Sequence, residues 1–344
     1  MWWAPEAQSA TAISRLPERS KAPNLQPSPE PVKTIFLIAL STPLVLAQGP
    51  LVPTGPPASS MKTLDQIEPR IPISTLPYTI NDPGSYYFTK NLQFSGTTGP
   101  AILINSSNVT LDLCGFTLSS TTAVTGAGIF FGSIHNVSVT NGAIFSSNTV
   151  TITGTGAGRT WSSTHFGGFA PGINASSASA CNFSHLSITG CKGFGMILGS
   201  YNIIQSVAVR FCSNDGIFTP EKGNRISDST SSYNVQEGFD CNDGQTNADN
   251  SILTNCTAFR NGGDGIDTVE GVVTGCLAYD NGSVGIYGTR GSVMHSAAYF
   301  NKFDGIQANS GAVGFCRGLS NDIGNGGDEI IASGGNRVNN LPAP

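Results

Sequence analysis

The residues best suited to chemistry are carboxylates that recur in phase. Asp240 and Asp267 stand two positions after a glycine, in Gly-Phe-Asp and Gly-Ile-Asp. Asp215, Glu237, Asp264 and Asp304 stand one position before glycines of the same series, and Asp243 follows in GFDCNDGQTNADN. If the two sets face one way, Glu237, Asp240, Asp243, Asp264 and Asp267 make one oxygen-rich patch. Such a patch suits two chemistries. It can hold Ca2+, a hard cation that takes several carboxylate and carbonyl oxygens, and the ion would bridge to an acidic polymer and acidify a proton beside its carboxylate. Alternatively, two carboxyls can act as acid and as nucleophile or base in glycoside hydrolysis, with Asp240, Asp243 and Asp267 the candidates. Crowded carboxyls hold raised pKa values unless a cation is present. Asp-Gly and Asn-Gly are also what tight turns select, so turn chemistry alone would produce the same residues.

A second group sits on a glycine-rich stretch, GTGAGRTWSSTHFGGFAPG, from Gly154 to Gly172, which carries Arg159, Trp161, His165 and Phe166. A long loop on a rigid scaffold is a common place for function. An exposed Trp161 would stack on a sugar face, with Arg159 and His165 beside it. The alternative is a loop that folds back and buries Trp161 as a local lid. The four histidines, His135, His165, His185 and His295, share no phase. No nucleophile elbow, phosphate loop or dinucleotide fingerprint is present.

What must position these residues is a repeat. Asn261, Asn281, Asn301 and Asn321 fall at steps of 20, and so do Cys256, Cys276, Ser296 and Cys316. Gly265-Ile266, Gly285-Ile286 and Gly305-Ile306 follow in the same phase. A fixed period of this size marks a solenoid whose repeats bury their apolar faces against their neighbours. The glycines at 128, 172, 195, 216, 238, 265, 285 and 305 give steps of 44, 23, 21, 22, 27, 20 and 20. We read the 44 as two coils with a weak middle and the 27 as a coil with an insertion. The predicted fold is all-β: one right-handed parallel β-helix of about ten coils, each of about 20–23 residues in three short strands.

Stacked coils bring like residues together. An asparagine at a turn tolerates left-handed geometry and passes amide hydrogen bonds to its neighbours above and below. Cys191 and Cys212 occupy the place that Asn234 and the later asparagines take. Cys256, Cys276 and Ser296 read as an inward stack of small residues. Cys191–Cys212 and Cys256–Cys276 are the pairs close enough for disulfides in an oxidising compartment, but the phase of the stack is explained by buried thiols without a bridge.

Composition agrees. The chain has 344 residues, 42 glycines, 39% apolar residues, 11% charged residues and a net charge of −5, so it carries no basic footprint for nucleic acid. Residues 1–31 are polar and proline-rich and are expected to be upstream sequence rather than structure. Residues 32–47 read as a signal peptide, with Lys33 before an apolar run and Val45-Leu46-Ala47 at its end. Val32 is then the expected start, read from a GTG codon, and the source bacterial. The segment is too short and too interrupted by Pro43 for a membrane span, so the mature protein is expected to be secreted and monomeric. Residues 48–60 form a Pro/Gly linker, 61–100 an N-terminal capping segment, and 101–344 the β-helix.

The run NVTLDLCGFTL, followed by Gly-Ile coils, resembles the right-handed parallel β-helix repeats of the pectate-lyase-like superfamily. CTAFRNGGDGID, preceded by a GFD coil, resembles the calcium site of family 9 pectate lyases. That resemblance implies Ca2+ as cofactor, with Asp240, Asp264 and Asp267 as ligands and Glu237 beside them. The positions matching that family's catalytic lysine hold Tyr287 and Gln307. GFDCND is similar to the GFDPHD motif of mannuronan C5-epimerases, with Asn242 in place of its histidine. The function implied is a calcium-dependent lyase or epimerase on uronate polysaccharides. The alternative is a non-catalytic, cell-surface carbohydrate-binding or structural solenoid.

Overall fold

The computed structural model describes residues 69–122, 125–242, 250–319, 321, 329–334 and 337–338. All of them belong to one compact unit, Met61–Pro344. The segments expected at 1–31, 32–47 and 48–60, and Asp243, lie outside the described residues.

The first face of the solenoid is an 11-stranded sheet whose strands pair in chain order, from Tyr78–Ile80 to Ile330–Ser333. Every pairing described along it is parallel, and each strand marks one coil. Among the described residues the stack therefore has eleven coils where about ten were expected, numbered here by these strands. A 20-stranded sheet supplies the second and third faces. The strands Val137–Ser146 and Asn182–Thr189 run through both of those faces and join them.

Alternation builds each strand. On the first face Ile266, Ile286 and Ile306 point inward and are buried, and Asp267, Tyr287 and Gln307 point outward. An inward isoleucine stacks on its equivalents above and below, and each such burial stabilises by roughly 1.5–3 kcal/mol. The glycine before it is required by a close approach. A Cβ on Gly285 would stand 2.5 Å from both the Gly305 carbonyl and the Asn301 side-chain nitrogen.

The corners differ from expectation in one respect. The asparagines of the ladder do not take left-handed geometry; the residue before Asn261, Asn281 and Asn301 does, at Arg260 (φ 55°), Asp280 (φ 60°) and Phe300 (φ 56°). A single left-handed residue turns the chain, and the asparagine after it points inward and is buried. Its amide is then saturated. Asn281 Oδ1 accepts from the backbone N–H and the side chain of Asn261, both at 3.1 Å. Asn281 Nδ2 donates to Asn301 Oδ1 at 2.9 Å and to the Ala258 carbonyl at 3.2 Å. The series ends where Asn321 donates from its side chain to Glu329 Oε2 at 2.6 Å and from its backbone at 3.2 Å.

The eight cysteines are free thiols, seven of them buried and Cys114 exposed. The Cys256 backbone N–H reaches Cys276 Sγ at 3.4 Å, and the Cys276 backbone N–H reaches Ser296 Oγ at 3.2 Å. Sulfur and hydroxyl fill the same inward acceptor place, which is why Cys and Ser interchange in this column.

Two segments are organised differently from expectation. The step of 44 is one coil with an insertion, because Ile129 pairs directly with Ile173. The segment expected to cap the stack, described from residue 69, forms the first coil, with Tyr78–Ile80 paired to Ile102–Ile104. Among the described residues no helix is long and apolar enough to cross a membrane.

Candidate acid face

The carboxyls gather on the outside of the first face, over coils six to eight. Asp240 in coil seven and Asp267 in coil eight are register partners in adjacent parallel strands. Phe218 precedes them in the same outward column, and Tyr287 and Gln307 follow. The column has no Lys, Arg or His between Phe218 and Gln307.

Carboxyls of the two phases lie close enough to perturb one another. Asp215, only 3% exposed, is pushed up to about 9, first by burial and then by the Glu237 carboxyl beside it, with Asp240 adding to the effect. Glu237 donates its backbone N–H to Asp215 Oδ1 at 3.0 Å. Burial raises Asp264 to about 6, opposed by hydrogen bonds from Ser283 and from the Val284 N–H at 2.8 Å. Asp267 is raised to about 7, again first by burial, with Asp264 and Glu237 contributing charge.

Asn242, noted in the sequence only as a departure from a motif, joins the pair. Its backbone N–H donates to Asp240 Oδ1 at 2.9 Å and its side-chain amide donates to Asp267 Oδ2 at 3.0 Å. One residue thus holds two carboxyls from adjacent coils. Asp267 Oδ1 is buried, with no hydrogen-bond partner among the described residues.

The fit to calcium is poorer. Among the described residues no three His, Cys, Asp or Glu side chains converge on a point that could hold an ion. Glu237, Asp240, Asp264 and Asp267 share the face but do not form a coordination group. What Asp264 and Asp267 can do as they stand is carry protons close to neutral pH.

The second sequence group is an antiparallel hairpin, Thr149–Thr153 against Thr160–Thr164, with a 3-10 turn at Gly156–Gly158. Arg159 and Trp161 are engaged by the protein itself. The Trp161 indole N–H donates to the Arg260 carbonyl at 2.8 Å, and its ring lies against Gly282. The Arg159 guanidinium pairs with the Asp280 carboxylate, which also pairs with Arg260 at 2.8 Å. His165 is exposed and shares a hydrogen bond with Ser213 Oγ at 3.1 Å. The structure thus places Trp161 as a lid over the coil turns, with its indole N–H used by the backbone.

A profile of right-handed β-helix regions matches residues 171–340. No curated protein sequence matches the chain. Among solved structures, the chain is similar to the A-module of a mannuronan C-5 epimerase from Azotobacter vinelandii, with a TM-score of 0.54 and 13% identity over 73% of this chain and 71% of that one. It is similar to ORF18 of Geobacillus virus E2, with a TM-score of 0.54 and 14% identity over 78% of this chain. It is also similar to the Dettilon tailspike protein, with a TM-score of 0.54 and 15% identity over 78% of this chain. The chain spans 56% and 61% of the latter two. At these identities the likeness is one of fold.

Proposed function

For a chain with the fold of a right-handed parallel β-helix, we propose a polysaccharide-active enzyme whose chemistry runs through the carboxyls of Asp240 and Asp267. The observation that carries this is their pairing: register partners on adjacent coils, bridged by Asn242, with Asp267 raised to about 7. A carboxyl that holds its proton near neutrality beside a second carboxyl is the arrangement that glycoside hydrolysis requires. Adjacent parallel strands lie about 4.8 Å apart, close to the roughly 5–5.5 Å between the carboxyls of retaining glycosidases.

Water is the only co-reactant the steps need. Protonated Asp267 donates to the glycosidic oxygen as the bond from that oxygen to the anomeric carbon breaks. Asp240 attacks the anomeric carbon and forms a glycosyl ester. Asp267, now a carboxylate, takes a proton from water. The water oxygen then attacks the same carbon and releases Asp240. The half-buried outward positions of the column, from Phe218 to Gln307, repeat across several coils and would line a chain laid along them.

Elimination or epimerisation on a uronate polymer is the second reading. Tyr287, the register partner of Asp267 on the next coil, supports it. A protonated Asp267 would hydrogen-bond the uronate carboxylate, and Tyr287 would exchange a proton with the sugar carbon or with the leaving oxygen. The fold likeness to a mannuronan C-5 epimerase is consistent with that chemistry. Neither chemistry is routed through calcium, because the described side chains do not gather as ligands.

One experiment separates the readings. Incubation with neutral glucans, pectate and alginate is followed for reducing ends, for the absorbance of unsaturated uronate and, by proton magnetic resonance, for a change in uronate epimer composition. Reducing ends without that absorbance are expected, and unsaturated product would move the assignment to elimination. Binding without any product would support the carbohydrate-binding solenoid instead. No binding and no product on any polymer would overturn the proposal.

A further inference from the structure

The hairpin Thr149–Thr164 takes no part in the coils. It leaves the stack in the turn that precedes the coil-four strand Ile173–Ala175, then runs along the stack over the equivalent turns of later coils. His165 meets Ser213 before coil six, and Trp161 meets Gly262 and Gly282 before coils eight and nine. Arg159 meets Asp280 before coil nine and reaches the Phe300 carbonyl before coil ten.

Ser213, Gly262 and Gly282 each lie two residues before the position that holds Asp215, Asp264 and Val284. The hairpin therefore tracks one side of the acid face, coil by coil. The closest point is at coil eight. A Cβ on Gly262 would stand 3.1 Å from Trp161 Cβ, and one on the next residue, Gly263, would stand 2.6 Å from Glu237 Oε1. Trp161 and the Glu237 carboxyl thus cover adjacent glycines of one turn. The hairpin's outer side presents only hydroxyls, from Thr149, Thr151, Thr153, Thr160, Ser162 and Thr164, all exposed. Its inner side, with Val150, Ile152 and Trp161, is half-buried.

We propose that this hairpin is the specificity-determining wall of the acid face: it confines a bound glycan to a lane running along the stack and excludes chains that carry branches on that side. A chain in that lane meets the same outward column at every coil, about 4.8 Å apart. The hydroxyl fringe offers it hydrogen bonds without charge. The proposal rests on the reading of the face as glycan-active.

Two variants test it. One replaces Val150–Ser163 by two glycines; the other, Arg159→Ala with Trp161→Ala, leaves the hairpin in place but unpinned. Each is assayed on the linear polymer that the wild type cleaves and on a side-chain-substituted form of it. The wild type is expected to favour the linear form by about 10-fold or more in kcat/KM. Both variants are expected to bring that ratio towards one, with KM for the substituted form falling. An unchanged ratio in a variant whose first-face amides keep their exchange protection overturns the wall and leaves the catalytic reading standing. A wild type that does not discriminate also overturns the wall alone. A wild type that neither binds nor cleaves any polymer overturns the catalytic reading, and the wall falls with it. Should both variants fail to fold, amide exchange of Thr149–Thr164 in the wild type decides: slowing by linear oligosaccharide supports the wall, and no change overturns it.

Discussion

At the scale of single residues, burial sets what the carboxyls can do. Asp267, raised to about 7, is proposed to work protonated, so activity is expected to fall as pH rises through about 7. Asp240→Asn and Asp267→Asn should each cost about 10²-fold or more in kcat, the usual contribution of a positioned acid or base. A pH–rate profile with no descending limb near neutrality would remove Asp267 from that role. Asp215 makes a separate prediction about stability. Its pKa rises from 3.8 to about 9 on folding, so its contribution is complete below about pH 4 and is lost as pH rises through about 9. The slope for one such proton is about 1.4 kcal/mol per pH unit. Between pH 7 and 9, Asp267 completes its ionisation and the thiols that burial raises begin to ionise in the unfolded chain, but both proteins share these groups, so the difference between them reports Asp215. Asp215→Asn keeps an oxygen for the Glu237 N–H and a donor for its carboxyl, so the variant should lose less stability than the wild type across that window. Thermal melts at pH 7 and 9 check this, and an equal loss in both proteins would contradict it. Little of this was legible in the sequence. Phase identified the acids, but Asn242 became a bridge only through where a strand end aims its side chain.

At the scale of the elements, the corners carry the argument. The asparagine ladder was legible because identical residues recur at one step, and stacking rewards identity. The left-handed residue before each asparagine was not, because Arg260, Asp280 and Phe300 share no side-chain chemistry and only their backbone is alike. The ladder's worth is testable. In Asn281→Ala, the Asn261 backbone N–H and side-chain amide both lose their acceptor inside the stack. A buried group left unpaired costs roughly 1–3 kcal/mol, so the variant should unfold at clearly lower denaturant, by about 2–4 kcal/mol for the two groups. Chemical denaturation followed by circular dichroism measures it, and a change below about 0.5 kcal/mol would mean that water or a rearranged corner replaces the amide. The hairpin was the element the sequence hid best. An insertion that brings one step to 44 has the length of two ordinary coils, and nothing in its composition separates the two cases.

At the scale of the whole stack, the fold is a chain of nearest-neighbour contacts, which alone would let coils open independently from an end. The hairpin breaks that rule, since Arg159 reaches Asp280 and Phe300, 121 and 141 residues on. Arg159→Ala should therefore speed amide exchange in residues 255–319 more than in residues 78–140. Equal acceleration in both would show that the long-range contact carries no cooperativity. The end of the ladder has a consequence of another kind. Each ladder residue points its backbone N–H and one side-chain N–H towards the next coil, so the column would end in an unanswered pair of donors. Glu329 answers it: its carboxylate takes both donors of Asn321, in the place where the next asparagine's oxygen would stand. The same carboxylate, at the residue before the coil-eleven strand Ile330–Ser333, thus ends the asparagine column, and a carboxylate stands where the column would otherwise ask for one more amide.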